Sequence, residues 1–180
     1  MTLTPTLTSI KSLFWKLERE SYCAYHAHSK IHKADHFFNF CVTAHSLRDY
    51  ILEHLGKVTA QEKEAFHNLW SAMPLLHTVG EIANSFKHFR LQEPKAHQLK
   101  SIETKHVGLK KSKFIDIYEN STGDIKFVEI LGNDIAVTLS DGQRFELYAF
   151  THEALTFWKS ELQEHGIIIR SQSLTRLNDG

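Results

Sequence analysis

The sequence predicts an α+β protein, an N-terminal antiparallel four-helix bundle followed by a small antiparallel β-sheet and a C-terminal helix. Three observations carry this. Apolar residues recur at helical spacing through the first half of the chain. A polar, lysine-bearing stretch containing Pro94 then interrupts the pattern. Beyond it come short runs rich in β-branched and aromatic residues, divided by Gly-containing turn sequences. The expected organisation is residues 1–92 as the bundle, 93–112 as a basic connector, and 113–180 as the sheet with its terminal helix.

The first helix begins at Thr8 or Ser9, whose hydroxyls can cap free backbone donors, and runs to about residue 28. Ile10, Leu13, Phe14 and Leu17 form its buried stripe. A polar junction over 29–33 separates it from a second helix, from about Ala34 to Leu55, on which Phe37, Phe40, Cys41, Ala44, Leu47, Ile51 and Leu55 share a face. Gly56 is its expected stop. Thr59 and Glu62 fit a capping box for the third helix, with Phe66, Leu69, Trp70 and Met73 as its apolar face and Pro74 as its end. A fourth helix over 75–91 carries the stripe Leu75, Val79, Ile82, Phe86, Phe89. Strands are expected over 113–118, 125–131, 135–139 and 144–150. Thr151 then caps a last helix, to about His165, whose Leu155, Trp158 and Leu162 cover the sheet.

Composition excludes more than it selects. Hydrophobic residues make up 42%, too many for a disordered chain. Lys plus Arg and Asp plus Glu both number 21, so net charge argues for neither nucleic acid nor membrane. By segment, basic and acidic residues number 10 and 8 over 1–92, 5 and 2 over 93–112, and 6 and 11 over 113–180, so a polyanion should find the first two thirds. Two cysteines, Cys23 and Cys41, make a disulfide framework unexpected and a reduced, cytoplasmic setting the default. No signal-peptide pattern opens the chain, and no apolar run approaches the ~20 residues of a membrane span.

The clearest concentration of reactive side chains is EIANSFKHF, from Glu81 to Phe89. At about 100° per residue, His77, Glu81, Asn84 and His88 lie nearly opposite the apolar stripe of their helix. They form either a solvated face or one wall of a cleft, in which His88 exchanges protons, Lys87 meets a phosphate and Asn84 orients either group. Gly80 and Ala83 are small enough to admit a second helix. On the second helix Asp49 shares a stripe with Phe38, Val42, His45 and Leu52, so a partner is expected among Asn84, Lys87 and His88, in a structural or a catalytic pair.

Arg48, Asp49 and His54 have the spacing of an arginine, a polar residue and a histidine after five intervening positions. Asn84 and His88 repeat the second half of that pattern, with Ala83 at the arginine's place. On these residues, the stretch 8–91 resembles the HEPN superfamily of small helical bundles. The resemblance implies a homodimer with its site in the dimer cleft, a metal-independent ribonuclease or toxin of bacterial conflict, stress or phage-defence systems, and no cofactor. His88, Asn84, Lys87, Asp49, Arg48 and His54 are then the catalytic candidates: a histidine moves the proton as an RNA 2′-hydroxyl attacks its adjacent phosphate, and a cation stabilises the added charge. Lys95, Lys100, Lys105, Lys110 and Lys111 either add sequence-independent phosphate contacts or belong to a solvated linker. The rival expectation is a non-catalytic homodimeric interaction module, whose acidic sheet region binds a partner protein.

Other groups point less far. His28, His32 and His36 recur every four residues, a spacing that can hold zinc but lacks a cysteine pair. Phe127, Phe145, Tyr148 and Phe150 are either a stacking platform for RNA bases or the packing beneath the last helix.

Overall fold

The computed structural model describes residues 7–57, 59–85, 104–119 and 122–170. Among these, five helices and three strands occur in the order α1 (Ile10–His26), α2 (Lys30–His54), α3 (Ala60–Ser71), α4 (Pro74–Ser85), β1 (Thr104–Glu119), β2 (Ile125–Leu139), β3 (Arg144–Glu146) and α5 (Leu147–Glu164). The chain is therefore mixed helix and sheet with its first helices N-terminal.

Local chemistry sets the helix ends. Ser9 caps α1 through a reciprocal pair with Ser12, and Thr59 does the same for α3 with Glu62. Gly56, at φ 65°, closes α2, where Lys57 N–H donates to the Leu52 carbonyl. The break between α1 and α2 is shorter than expected, residues 27–29, so α2 begins at Lys30. Pro74 opens α4 instead of terminating α3, because a first-turn position needs no N–H and suits proline's fixed φ.

α1 and α2 pack as a hairpin through Leu13, Phe14, Leu17, Phe37, Phe40, Ala44 and Leu47, all buried. α5 packs against α1, α2 and α4, so the helical layer is not drawn from the first four helices alone. α3 buries only Trp70, edge-on to Trp158 of α5 at 4.6 Å, while Leu69 and Met73 of its expected apolar face are exposed. α4 is enclosed on most sides: Leu75, Leu76, Thr78, Val79, Gly80, Ile82 and Ala83 are all buried. One hydrophobic cluster runs from Leu13 in α1 to Ile169 beyond α5, joining helices and sheet.

The sheet is antiparallel in the order β1-β2-β3. β1 and β2 form a long ribbon, paired from Thr104↔Leu139 to Glu119↔Ile125, with a bulge between Thr104 and His106. Three expectations are corrected here. The strand begins within the expected connector, at Thr104. The strands expected over 125–131 and 135–139 are one, because Gly132-Asn133-Asp134 is not a turn: the Phe114 ring lies over Gly132, where a Cβ would come within 2.8 Å of it, and Asn133 Nδ2 donates to the His28 carbonyl. The strand expected over 144–150 stops at Glu146, and α5 starts at Leu147, because Leu147, Phe150, Ala154, Trp158 and Leu162 recur at helical spacing and are all buried. Thr151 is accordingly a buried helix-interior residue whose hydroxyl donates to the Tyr148 carbonyl, not a cap.

Candidate functional site

Gly80 of α4 sits beneath His45 of α2, where an added Cβ would lie 3.2 Å from Nδ1. The close approach expected from Gly80 is thus made by α2 itself. Ile82 and Ser85, near the end of α4, share a cleft with Ala34, Phe37 and Phe38, near the start of α2. The two helices therefore run antiparallel. Asn84 lies one turn from Gly80 toward the N-terminal end of α2, whereas Asp49 lies one turn from His45 in the other direction. At 1.5 Å per residue these offsets separate Asp49 and Asn84 by about 12 Å along the axis.

This cleft has a volume of about 590 Å³ and is bounded by Phe37, Phe38, Glu81, Ile82, Lys105 and His106; Asn84 does not line it. Glu81, expected on an open polar face, is 17% exposed and accepts hydrogen bonds from the backbone N–H and the hydroxyl of Thr104. Its chemistry is structural: it fixes the root of β1 against α4. His77 lies 4.0 Å from the same carboxylate. Lys87 and His88 lie outside the described residues, as do Lys95 and Lys100.

Asp49 is not a buried acid. Its side chain is 63% exposed and pairs with its neighbour, Arg48 Nε to Oδ1 at 3.3 Å. Arg48 and Asp49 both act electrostatically on His67 of α3. Burial, and then the Arg48 charge, hold the His67 imidazole below its ordinary pKa, against an opposing pull from Asp49. The Nε2 of His67 is buried with no hydrogen-bond partner among the described residues. A neutral imidazole within electrostatic reach of a guanidinium offers a proton acceptor and a fixed positive charge, the two kinds of group that phosphodiester transfer uses. His54 is exposed and borders a different groove, with Thr8, Tyr50 and Gly166, so it does not join Arg48. Their six-residue offset on one helix turns them about 120° apart.

Sequence reasoning missed His67 because no spacing rule links it to Arg48; only the tertiary placement of α3, which packs against α4, does. It also missed Lys33, which is 1% exposed. Its ammonium donates to the Ala24 and Tyr25 carbonyls at the end of α1, at 2.7 Å each, and lies 5.9 and 5.7 Å from the Tyr25 and Phe114 ring centres. Burial lowers its pKa, with Asp134 opposing. A lysine in the first turn of a helix reads as solvated; here it satisfies carbonyls that the preceding helix leaves open.

The connector lysines divide. Lys105, at the bulge, and Lys111 are exposed. Lys110 is committed to acids, bonded to Glu146 and 4.0 Å from Asp134. His28 precedes α2, while His32 and His36 lie on it, and His36 Nδ1 contacts Glu20 at 2.8 Å. Cys41 is fully buried, which pushes its thiol pKa far up, and burial followed by the Glu20 charge raises that of Cys23. Of the sheet aromatics, Phe145 and Phe150 are core residues, whereas Phe127 and Tyr148 are exposed, so the four do not make one platform. No described helix is long and apolar enough to cross a membrane.

Compared with protein-family models, curated proteins and solved structures, the chain matches none.

Proposed function

We propose that the protein is a non-catalytic interaction module: a helical body, read as HEPN-like over its first four helices, that presents a β-ribbon arm to a partner protein in the cytoplasm. The observation that supports this most directly is the outer half of the β1–β2 ribbon. Ile115, Ile117, Ile125, Phe127 and Leu131 are each 61–69% exposed. A contiguous apolar surface of that kind on a hydrogen-bonded ribbon has its backbone already ordered, so covering it yields the hydrophobic gain with little further loss of chain entropy. A photo-reactive phenylalanine analogue in place of Phe127 tests the reading in cells. Protein adducts are expected; irradiation that yields no protein adduct sinks it.

A second reading, a HEPN-like metal-independent ribonuclease or RNA-binding protein, is favoured by the Arg48, Asp49 and His67 cluster. In that reading His67 accepts the 2′-hydroxyl proton and Arg48 holds the phosphate, with Asn84, Lys87 and His88 as a separate element brought in by a second subunit. Incubation with mixed RNA in EDTA, beside His67→Ala, Arg48→Ala and His88→Ala variants of matched stability, separates the two readings. Cleavage abolished in any one of these variants establishes the nuclease. No cleavage by any form leaves the module.

A further inference from the structure

The arm consists of seven ladder positions, Lys113↔Leu131 to Glu119↔Ile125, about 20 Å of ribbon. Side chains alternate between its two faces, and opposite partners share a face. One face carries Phe114 and Ile130, and Phe114 packs edge-on to Tyr25 of α1 at 6.1 Å, so this side is turned toward the body. The other face carries Lys113, Ile115, Ile117 and Glu119 from β1, and Ile125, Phe127, Glu129 and Leu131 from β2. Every one of these is exposed, and Lys113 reaches Glu129 across the ribbon at 2.7 Å.

Building on the module reading, we infer that the occupant of this face is a second copy of the chain, arm stacked on arm, with the tip of each over the root of the other. Area and charge both favour this. Five large apolar side chains at roughly two-thirds exposure leave about 600 Å² uncovered, the upper end of what a monomer keeps. With the flanking charged residues, the face approaches the ~800 Å² that each partner gives to a standard interface. Charge on the face is net basic at the root, where Lys111 and Lys113 outnumber Glu129, and acidic at the tip, Glu119. A two-fold axis through the middle of the arm places Lys113 over the other copy's Glu119, Leu131 over Ile125, Ile115 over Ile117, and Phe127 over Glu129, whose carboxylate is already held by Lys113. The root of each arm thus meets the tip of the other with opposite charge, whereas a parallel stack lays β1 over β2 and sets Lys113 on Leu131 and Glu119 on Ile125, with no opposite charge to meet. Stacked ribbons lie about 10 Å apart, a spacing that side chains of this size fill.

Sedimentation of the full chain over a concentration series tests the pairing. The wild type is expected to be a dimer. Phe127→Lys, at an exposed position that folding does not use, is expected to be monomeric with unchanged circular dichroism and melting temperature. Lys113→Glu and Glu119→Lys are each expected to weaken the dimer about tenfold. Their combination is expected to restore part of that loss, since the swapped charges meet again while the carboxylate now at position 113 lies beside Glu129. A wild type that stays monomeric, or a Phe127→Lys protein that stays dimeric, overturns the inference. Failure of the charge swap to rescue overturns the tip-over-root arrangement. Photo-adducts from position 127 that join the chain only to other proteins would refute the second copy while leaving the module reading intact; the absence of any protein adduct would refute both.

Discussion

The inner and outer halves of the β1–β2 ribbon use the same vocabulary of Ile, Val, Leu and Phe, yet only one half is covered. At the root, Ile135, Val137 and Leu139 lie in the shared core, and Ala136 on the opposite face is buried as well. In the arm, Ile125, Phe127 and Leu131 on the same strand are mostly exposed. β-Propensity and pattern make the ribbon; only the position of the helices decides which half is core. Stability and surface function are therefore separated along a single strand.

Truncating matched leucines at root and arm should give the widest difference in stability. Leu139→Ala, at a fully buried site, is expected to cost about 2–5 kcal/mol, whereas Leu131→Ala is expected to stay within about 0.5 kcal/mol, both read by urea denaturation at a protein concentration where the chain is monomeric. Equal losses would mean the arm is folded into the body. Next comes the boundary. Gly132→Ala places a Cβ 2.8 Å from the Phe114 ring and is expected to cost about 1–3 kcal/mol, recovered in part by Phe114→Ala in the same chain. Lys33→Ala strands the Ala24 and Tyr25 carbonyls and should cost about 1–2 kcal/mol by thermal melting, with Phe114 losing its contact at the arm's base.

The smallest effect is a control in the body. The folded-state pKa of His67 lies below its ordinary 6.5, so the unfolded chain binds its proton first as pH falls. The stability contributed by the neutral ring is fully present above about 6.5 and is lost as pH drops through the lower folded value. His67→Gln should flatten that part of the pH–stability curve without changing the arm's association. Altered association would place α3 in the interface.

Much of this fold was legible in the sequence, and the exceptions have physical causes. The capping boxes at Ser9 and Thr59, the stop at Gly56 and the α2 stripe all follow from interactions within a few residues. Gly132 and Thr151 misled because each is shaped by a distant neighbour: an aromatic ring laid on the backbone, and a core that requires a helix from Leu147 onward. The site was less legible. Asp49 on an apolar stripe suggested a buried pair with α4, but the stripe leaves Val42 and Asp49 outside, and the antiparallel run of α2 and α4 carries Asn84 away from it. His67 has no sequence signature at all, and the residues at positions 87 and 88 fall outside the described chain.

The Glu81 carboxylate, held by both donors of Thr104, has a topological consequence. It moors the last turns of α4 to the first residue of the ribbon, two points 23 residues apart in the chain. Glu81→Ala removes the acceptor of both Thr104 donors and is expected to loosen the first residues of β1 from α4, read as faster amide exchange there, while the buried Ile135, Val137 and Leu139 keep the ribbon in the core.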